Sequence, residues 1–272
     1  MRRSRPASGA VALMFALLSP ALASAETLDC VIEPKAVIDL VVSEKGRVSE
    51  ILVRRGDVVA KDQVLVRLED DVQQLQMDMA EVRMNSDLEI RAGETRLAQR
   101  QKELDRAQAL ADKNVGAITQ VESAQIELEL TKLTIEQAKL THALAKIEFE
   151  QAKAMLSRRT VRSPADGLVV SVEIAPGAFV ASEQVKIMTI SVMDPLHVEV
   201  FAPSKFHNKV KVGDILKVSQ TSTLNGQYRA KVTVVDQVFD AASGTFGVQL
   251  AIDNKDGKIP AGTRCKVEFN VE

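Results

Sequence analysis

The chain of 272 residues carries 35 basic and 37 acidic side chains, with 3% aromatic residues and no tryptophan. Such a mildly acidic surface lacks the clustered positive charge that a phosphate-binding face needs, which excludes nucleic acid as a partner. Aromatic platforms on which bases or sugars could stack are scarce as well.

Residues 1–25 read as a secretory signal peptide. Arg2, Arg3 and Arg5 precede an apolar run from Ala10 to Leu18, and Ala23-Ser24-Ala25 supplies the small residues of a cleavage site. The run is too short to cross a bilayer as a helix. The residues after Arg3 do not suit twin-arginine export, and Asp29 before Cys30 breaks a lipobox. The expected product is exported and soluble; the 35 basic groups less three arginines leave 32 against 37 acidic ones. Two cysteines remain, Cys30 and Cys265. In an oxidising compartment such a pair usually forms a disulfide, the alternatives being two buried thiols or half of a metal site.

A short pattern then occurs twice. GRVSEILVRRGDVVAKDQV begins at Gly46 and GLVVSVEIAPGAFVASEQV at Gly167. Without gaps, Val48 matches Val169, Ile51 matches Val172, Val53 matches Ile174, Gly56 matches Gly177, Val59 matches Val180, and Gln63-Val64 matches Gln184-Val185. A local repeat implies one structural unit made twice. Each copy has alternating apolar runs around a glycine turn, the signal of strand-turn-strand. Two such units related by a pseudo-twofold make a small β-sandwich of the lipoyl/biotinyl type. Its first half, with an N-terminal strand, is expected over 26–70 and its second over 158–192.

Between the copies, from 71 to 157, strong helix formers dominate and proline is absent. Val121, Leu128, Ile135, His142, Phe149 and Leu156 recur every seven residues, flanked by Ala124, Thr131, Ala138, Ala145 and Ala152. This is a coiled-coil seam whose small flanking positions allow close approach of a partner helix. The first arm is looser, with Ile90, Leu97, Leu104 and Ala111 in register and Gly93 and Ala107 beside them. Asp70-Asp71 is placed to cap its start and Thr119 to cap the return helix, with the turn at Asn114-Val115-Gly116. Arms of about 40 residues at 1.5 Å each make a hairpin roughly 60 Å long. A second stripe on the return helix, Ile126, Leu133, Leu140, Ile147 and Ala154, lies about 140° from the seam. It is either part of a broad apolar face or the contact through which neighbouring hairpins pack in an oligomer. Lys132, Lys139, Lys146 and Lys153 beside Glu129, Glu136 and Glu150 read as a solvated band supporting the helix.

From 193 to 272 the pattern is all-β. His197–Phe201, Ile215–Val218, Tyr228–Val238, Phe246–Ile252 and Lys266–Val271 read as strands, and Gly213-Asp214, Asn225-Gly226 and Asp256-Gly257 as turns, which fits a small β-barrel. The fold class is thus α+β and multidomain: a long α-helical coiled-coil hairpin inserted in a split lipoyl/biotinyl-like β-sandwich, followed by a small β-barrel.

In a carrier domain the first half would lead to a modifiable lysine. Leu68-Glu69-Asp70-Asp71-Val72 stands there instead, and the helices follow. With Thr160-Val161-Arg162-Ser163-Pro164-Ala165-Asp166-Gly167, Asp240-Ala241-Ala242-Ser243-Gly244-Thr245-Phe246, Ile252-Asp253-Asn254 and Ile259-Pro260-Ala261-Gly262, this arrangement resembles the HlyD-like periplasmic adaptors (membrane fusion proteins) of resistance-nodulation-division (RND) efflux pumps. The resemblance implies a non-enzymatic, cofactor-free protein of the periplasm. It implies an inner-membrane transporter and an outer-membrane channel as partners, and self-assembly as a hexamer or trimer of dimers. It also implies a channel-docking tip formed by an Arg, a Leu four later and a Ser seven beyond. Arg106 and Leu110 fit the first two places. Thr119 stands nine beyond Leu110, with Asn114-Val115 as the two extra residues before Gly116. An adaptor of type I secretion or another ABC exporter, a lipoyl or biotinyl carrier and a plain coiled-coil scaffold are the alternatives. No nucleophile–base set, phosphate loop or metal spacing accompanies these features. His142, His197 and His207 are scattered, and Met77, Met79 and Met84, suggestive of a soft metal, suit helix packing better.

Overall fold

The computed structural model describes residues 26–115, 117–181, 185–221 and 226–269. The signal-peptide reading, Gly116, Gln184, Asn225 and Val271 lie outside them. In chain order the elements are β1 (Glu26–Val41), β2 (Gly46–Ile51), β3 (Val58–Val59), β4 (Val64–Leu68), α1 (Asp71–Met84), α2 (Leu88–Ala111), α3 (Ile118–Ser157), β5 (Thr160–Arg162), β6 (Gly167–Val172), β7 (Phe179–Val180), β8 (Lys186–Pro203), β9 (Ile215–Gln220), β10 (Gln227–Asp240), β11 (Thr245–Ile252) and β12 (Thr263–Phe269). They divide into two compact units, Ala36–Val192 and the remainder, up to Lys35 and from Met193 onward.

In the first of these units the two repeats interlock. Gly46 and Arg47 of β2 pair with Val180 and Phe179 of β7, while Gly167 and Leu168 of β6 pair with Val59 and Val58 of β3. Shifting each residue to its repeat partner turns one ladder into the other. The glycine turns obey the same exchange: the Gly56 N–H donates to Val169 O at 2.9 Å and the Gly177 N–H to Val48 O at 2.8 Å. Both glycines have positive φ, 95° and 81°, a conformation that carries no penalty without a Cβ. Val53 and Ile174 pack into one core with Val48, Val169, Leu65 and Ile190. The two copies therefore make a single sandwich. Gly167 also has a packing reason, since a Cβ there would lie 2.6 Å from Ser191 O on β8.

The helices leave and rejoin this sandwich at one place. β4 pairs with β5, Val66 opposite Val161 and Arg67 opposite Thr160, and the Leu68 N–H donates to Arg159 O at 2.8 Å. The chain thus exits at the end of one strand and returns on its neighbour. Asp70 precedes α1 without a side-chain capping bond, contrary to expectation, while Asp71 sits in the first turn, where a negative charge suits the helix dipole.

In the other unit the strands follow in the order β1-β12-β9-β10-β11-β8, and β1 and β8, which run through both units, also pair with each other. The inward positions alternate strictly along β11, with Phe246, Val248, Leu250 and Ile252 buried, as a sheet with one solvated face requires. They share a core with Ile32, Val198, Val200, Phe206, Val218 and Val267. Residues 26–32 belong here: β1 pairs with β12 from Glu26 opposite Phe269 to Ile32 opposite Thr263. This stretch, expected with the lipoyl-like half, is instead part of the barrel by its strand pairing. Cys30 and Cys265 are direct cross-strand partners, 4.8 Å apart at Cα and disulfide-bonded.

Candidate functional site

The hairpin carries exposed apolar residues at its tip and along its outer side. Its seam is built as heptads dictate: Leu128, Ile135 and Ala138 are buried, while Val121, Ala124, Thr131, His142, Ala145, Phe149, Ala152 and Leu156 are half-buried among exposed neighbours. Gly93 on α2 is buried against Ile135, whose Cγ1 would lie 2.7 Å from an added Cβ. The small residue sets the close approach of the two arms. Arg100, one heptad on, bridges them instead, bonding Glu103 at 2.8 Å and reaching Glu127 of α3 at 3.7 Å. The Arg100 guanidinium, helped by the Gln99 amide, holds the Glu103 carboxyl below the usual carboxylate range.

The ascending arm is two helices, not one. α1 ends at Met84, and α2 begins at Leu88 after Asn85-Ser86-Asp87. Both pack on the unbroken 40-residue α3. Met77 and Met84 lie on the seam side of α1 and Met79 on its outside, so the three methionines do not converge. Among the described residues, no three His, Cys, Asp or Glu side chains group as metal ligands, and no helix is long and apolar enough to cross a membrane.

At the far end α2 stops in a Schellman turn. The Asn114 N–H donates to Ala111 O at 2.9 Å and the Val115 N–H to Leu110 O at 3.1 Å, with Asn114 at φ 55°. Asparagine is the residue after glycine that best tolerates this left-handed position. The turn brings Leu110 and Val115, two of the expected tip residues, onto one hydrogen bond. Both are exposed, as are Arg106 and Thr119, while Gly116 lies outside the described residues. Thr119 does not cap α3. The helix begins one residue earlier, with extended Ala117 at its N-cap. Ile118, 73% exposed, completes an apolar tip with Leu110 and Val115. Its signal in the sequence is an isoleucine standing between a turn and the polar Thr119-Gln120.

The second surface is the outer stripe of α3. Ile126, Leu133, Leu140 and Ile147 are 55–63% exposed, and Leu130 and Leu144 widen the stripe. Lys132 pairs with Glu129 at 2.7 Å within the flanking band. An apolar stripe this long on one helix is more than scattered surface hydrophobes account for.

The barrel-sandwich hybrid domain of YknX matches residues 40–191, more than half of the chain. The chain belongs to that family. The membrane fusion, or periplasmic adaptor, resemblance read from the sequence holds, and the fold is that of such proteins. MacA from Actinobacillus actinomycetemcomitans superposes with a TM-score of 0.70 at 18% identity, over 92% of this chain and 80% of its own. The membrane fusion protein Spr0693 from Streptococcus pneumoniae R6 gives 0.62 at 18% identity, over 91% of this chain and 100% of its own. A MacA-MexA chimera containing the Pseudomonas aeruginosa MexA α-hairpin gives 0.62 at 18%, over 92% and 82%. An uncharacterized protein of Haemophilus influenzae is 22% identical over 216 residues, 78% of this chain and 48% of its own length. The chain spans about half the length of that curated relative.

Proposed function

We propose that this chain is a periplasmic adaptor that joins an inner-membrane efflux transporter, of the RND class on the sequence resemblance, to an outer-membrane channel. It is exported by its signal peptide, assembles side by side into a closed ring, six copies on the family pattern, and transmits the state of the transporter without a chemical step of its own. The supporting observation is the hairpin itself. A sandwich that is closed by its own two repeats extends a rod whose tip and outer stripe stay apolar and uncovered. The tip, with Arg106, Leu110, Val115, Ile118 and Thr119, is the channel-docking end. The stripe of Ile126, Leu133, Leu140 and Ile147 is the contact between copies.

Leu110→Asp places a charge in the middle of the tip and removes no buried contact, since Leu110 is half exposed. Site-specific crosslinking to the channel is expected to fall about tenfold or more, an interface loss of roughly 1.4 kcal/mol or greater. The helical circular dichroism should be unchanged. Undiminished crosslinking refutes the tip assignment. Copurification from membranes reads the rest: an RND transporter supports the stated class, an ATP-driven exporter replaces it, and recovery with neither transporter nor channel removes the adaptor reading.

A further inference from the structure

Two rows of side chains on the hairpin stem face one another across a groove of about 260 Å³. Gln76, Met79, Ala80 and Arg83 supply one row from α1, and Glu148, Gln151, Ala152 and Met155 supply the other from α3. Within each row the spacing is that of a single helix face. Arg83 and Glu148 are 3.6 Å apart, and the two arms of the hairpin run in opposite directions, so Met79 comes level with Ala152 and Met155 with Gln76. Two thioethers, one from each arm, thus stand about one helical turn apart in the same groove.

Exposure separates these two from the other methionines. Met79 is 59% and Met155 44% exposed. Met188 is fully buried in the sandwich core. Met77 and Met84 are half-buried on the seam side of α1, and Met193 is half-buried against the barrel core. A thioether is oxidised at its sulfur, and access to that sulfur decides how fast. With hydrogen peroxide the sulfur attacks one oxygen, so that an S–O bond forms as the O–O bond breaks. Sulfur gives up two electrons, and the displaced hydroxide takes the proton of the transferred hydroxyl and leaves as water.

The product suits this place and not the others. A sulfoxide oxygen is polar and accepts hydrogen bonds, and the groove offers it solvent together with the donors of Gln76, Gln151 and Arg83. In the seam or in the sandwich core the same oxygen would be a polar group shut away from water, which costs stability. We propose that Met79 and Met155 form a paired oxidation site, which takes up peroxide ahead of the seam methionines and so shields the coiled coil. This goes beyond the bridging role and does not depend on it. Reduction of the two sulfoxides by a methionine sulfoxide reductase returns the pair to its starting state.

Limiting oxidant tests this in the full chain. At two molecules of hydrogen peroxide per chain, peptide mass spectrometry should find the added oxygen at Met79 and Met155 roughly fivefold or more above Met77 and Met84. The thermal midpoint of the helical circular dichroism should be unchanged, and the reductase should remove the oxygen again. Met79→Leu combined with Met155→Leu keeps the apolar volume of both side chains. The same dose should then raise oxidation at Met77 and Met84 by about threefold or more, and lower the midpoint relative to the same variant without peroxide. Equal oxidation of all four methionines in the parent chain overturns the assignment, as does a lowered midpoint when only Met79 and Met155 carry oxygen. Seam oxidation that does not rise in the double variant shows that the pair shields nothing, and overturns the protective role.

Discussion

Asn254 shows how one buried amide fixes a loop. It is 4% exposed, and its side chain donates to Met193 O at 3.0 Å and Ile259 O at 3.1 Å while accepting the Ile259 N–H at 2.9 Å. Its own N–H donates to Asp194 at 2.7 Å. Every polar group on the amide is thus satisfied where water is excluded, so removal strands partners rather than merely losing a bond. Asn254→Ala is expected to destabilise the barrel by about 2–4 kcal/mol, read as a lowered denaturant midpoint at constant slope. The motif around this residue was visible in the sequence, but its role was not: a polar residue in a loop carries no mark of burial until the strands on both sides are placed. Asp240 is the converse case. The Ala242 N–H and the Ser243 hydroxyl keep its carboxyl below the usual range, and it organises the turn to Gly244 from the surface.

Helix by helix, the heptad pattern carries most of the information. The seam of α3 was legible because a period of seven leaves only two positions in each heptad to bury, and the exposed band between seam and stripe carries the charges. Gly93 makes that packing testable. Alanine gains about 1 kcal/mol of helix propensity over glycine but presses on Ile135, so Gly93→Ala should stay within about 1 kcal/mol of the parent protein. Gly93→Leu has no such offset and should lower hairpin stability by about 1–3 kcal/mol, measured as the thermal midpoint of helical circular dichroism. The break after Met84 was also written in the chain and missed. Met77 and Met84 are seven apart, but Ile90, not residue 91, opens the next seam row. One residue is lacking, so an unbroken helix would carry one of the two rows off the seam, and Asn85-Ser86-Asp87 absorbs the difference. The N-cap expected at Thr119 lies two residues earlier, at Ala117, a shift of the size by which helix ends commonly vary.

At the level of the whole molecule, long-range pairing is what a single sequence conceals. The repeat revealed the sandwich because both halves share a pattern. Nothing local to residues 26–32 names β12, 235 residues away at the cysteine pair, as their partner. Closing so long a loop contributes up to roughly 5 kcal/mol in the chain-entropy model. Replacing both cysteines by serine should therefore lower the stability of the barrel, with hydrogen-exchange protection lost first in 26–32 and 263–269. The helical hairpin should melt unchanged; a fall in its midpoint as well would show that the bridge supports more than the barrel.

The paired strands at which the chain leaves and returns, Leu68 beside Arg159 and Arg67 opposite Thr160, have a consequence for how such a rod can vary. Only the spacing of the two helix feet is fixed by the sandwich. Taking seven residues from α2 and the matching seven from α3 keeps every remaining seam position in phase and shortens the rod by about 10 Å. Reach is thus adjustable in whole heptads, independent of the socket from which the rod grows.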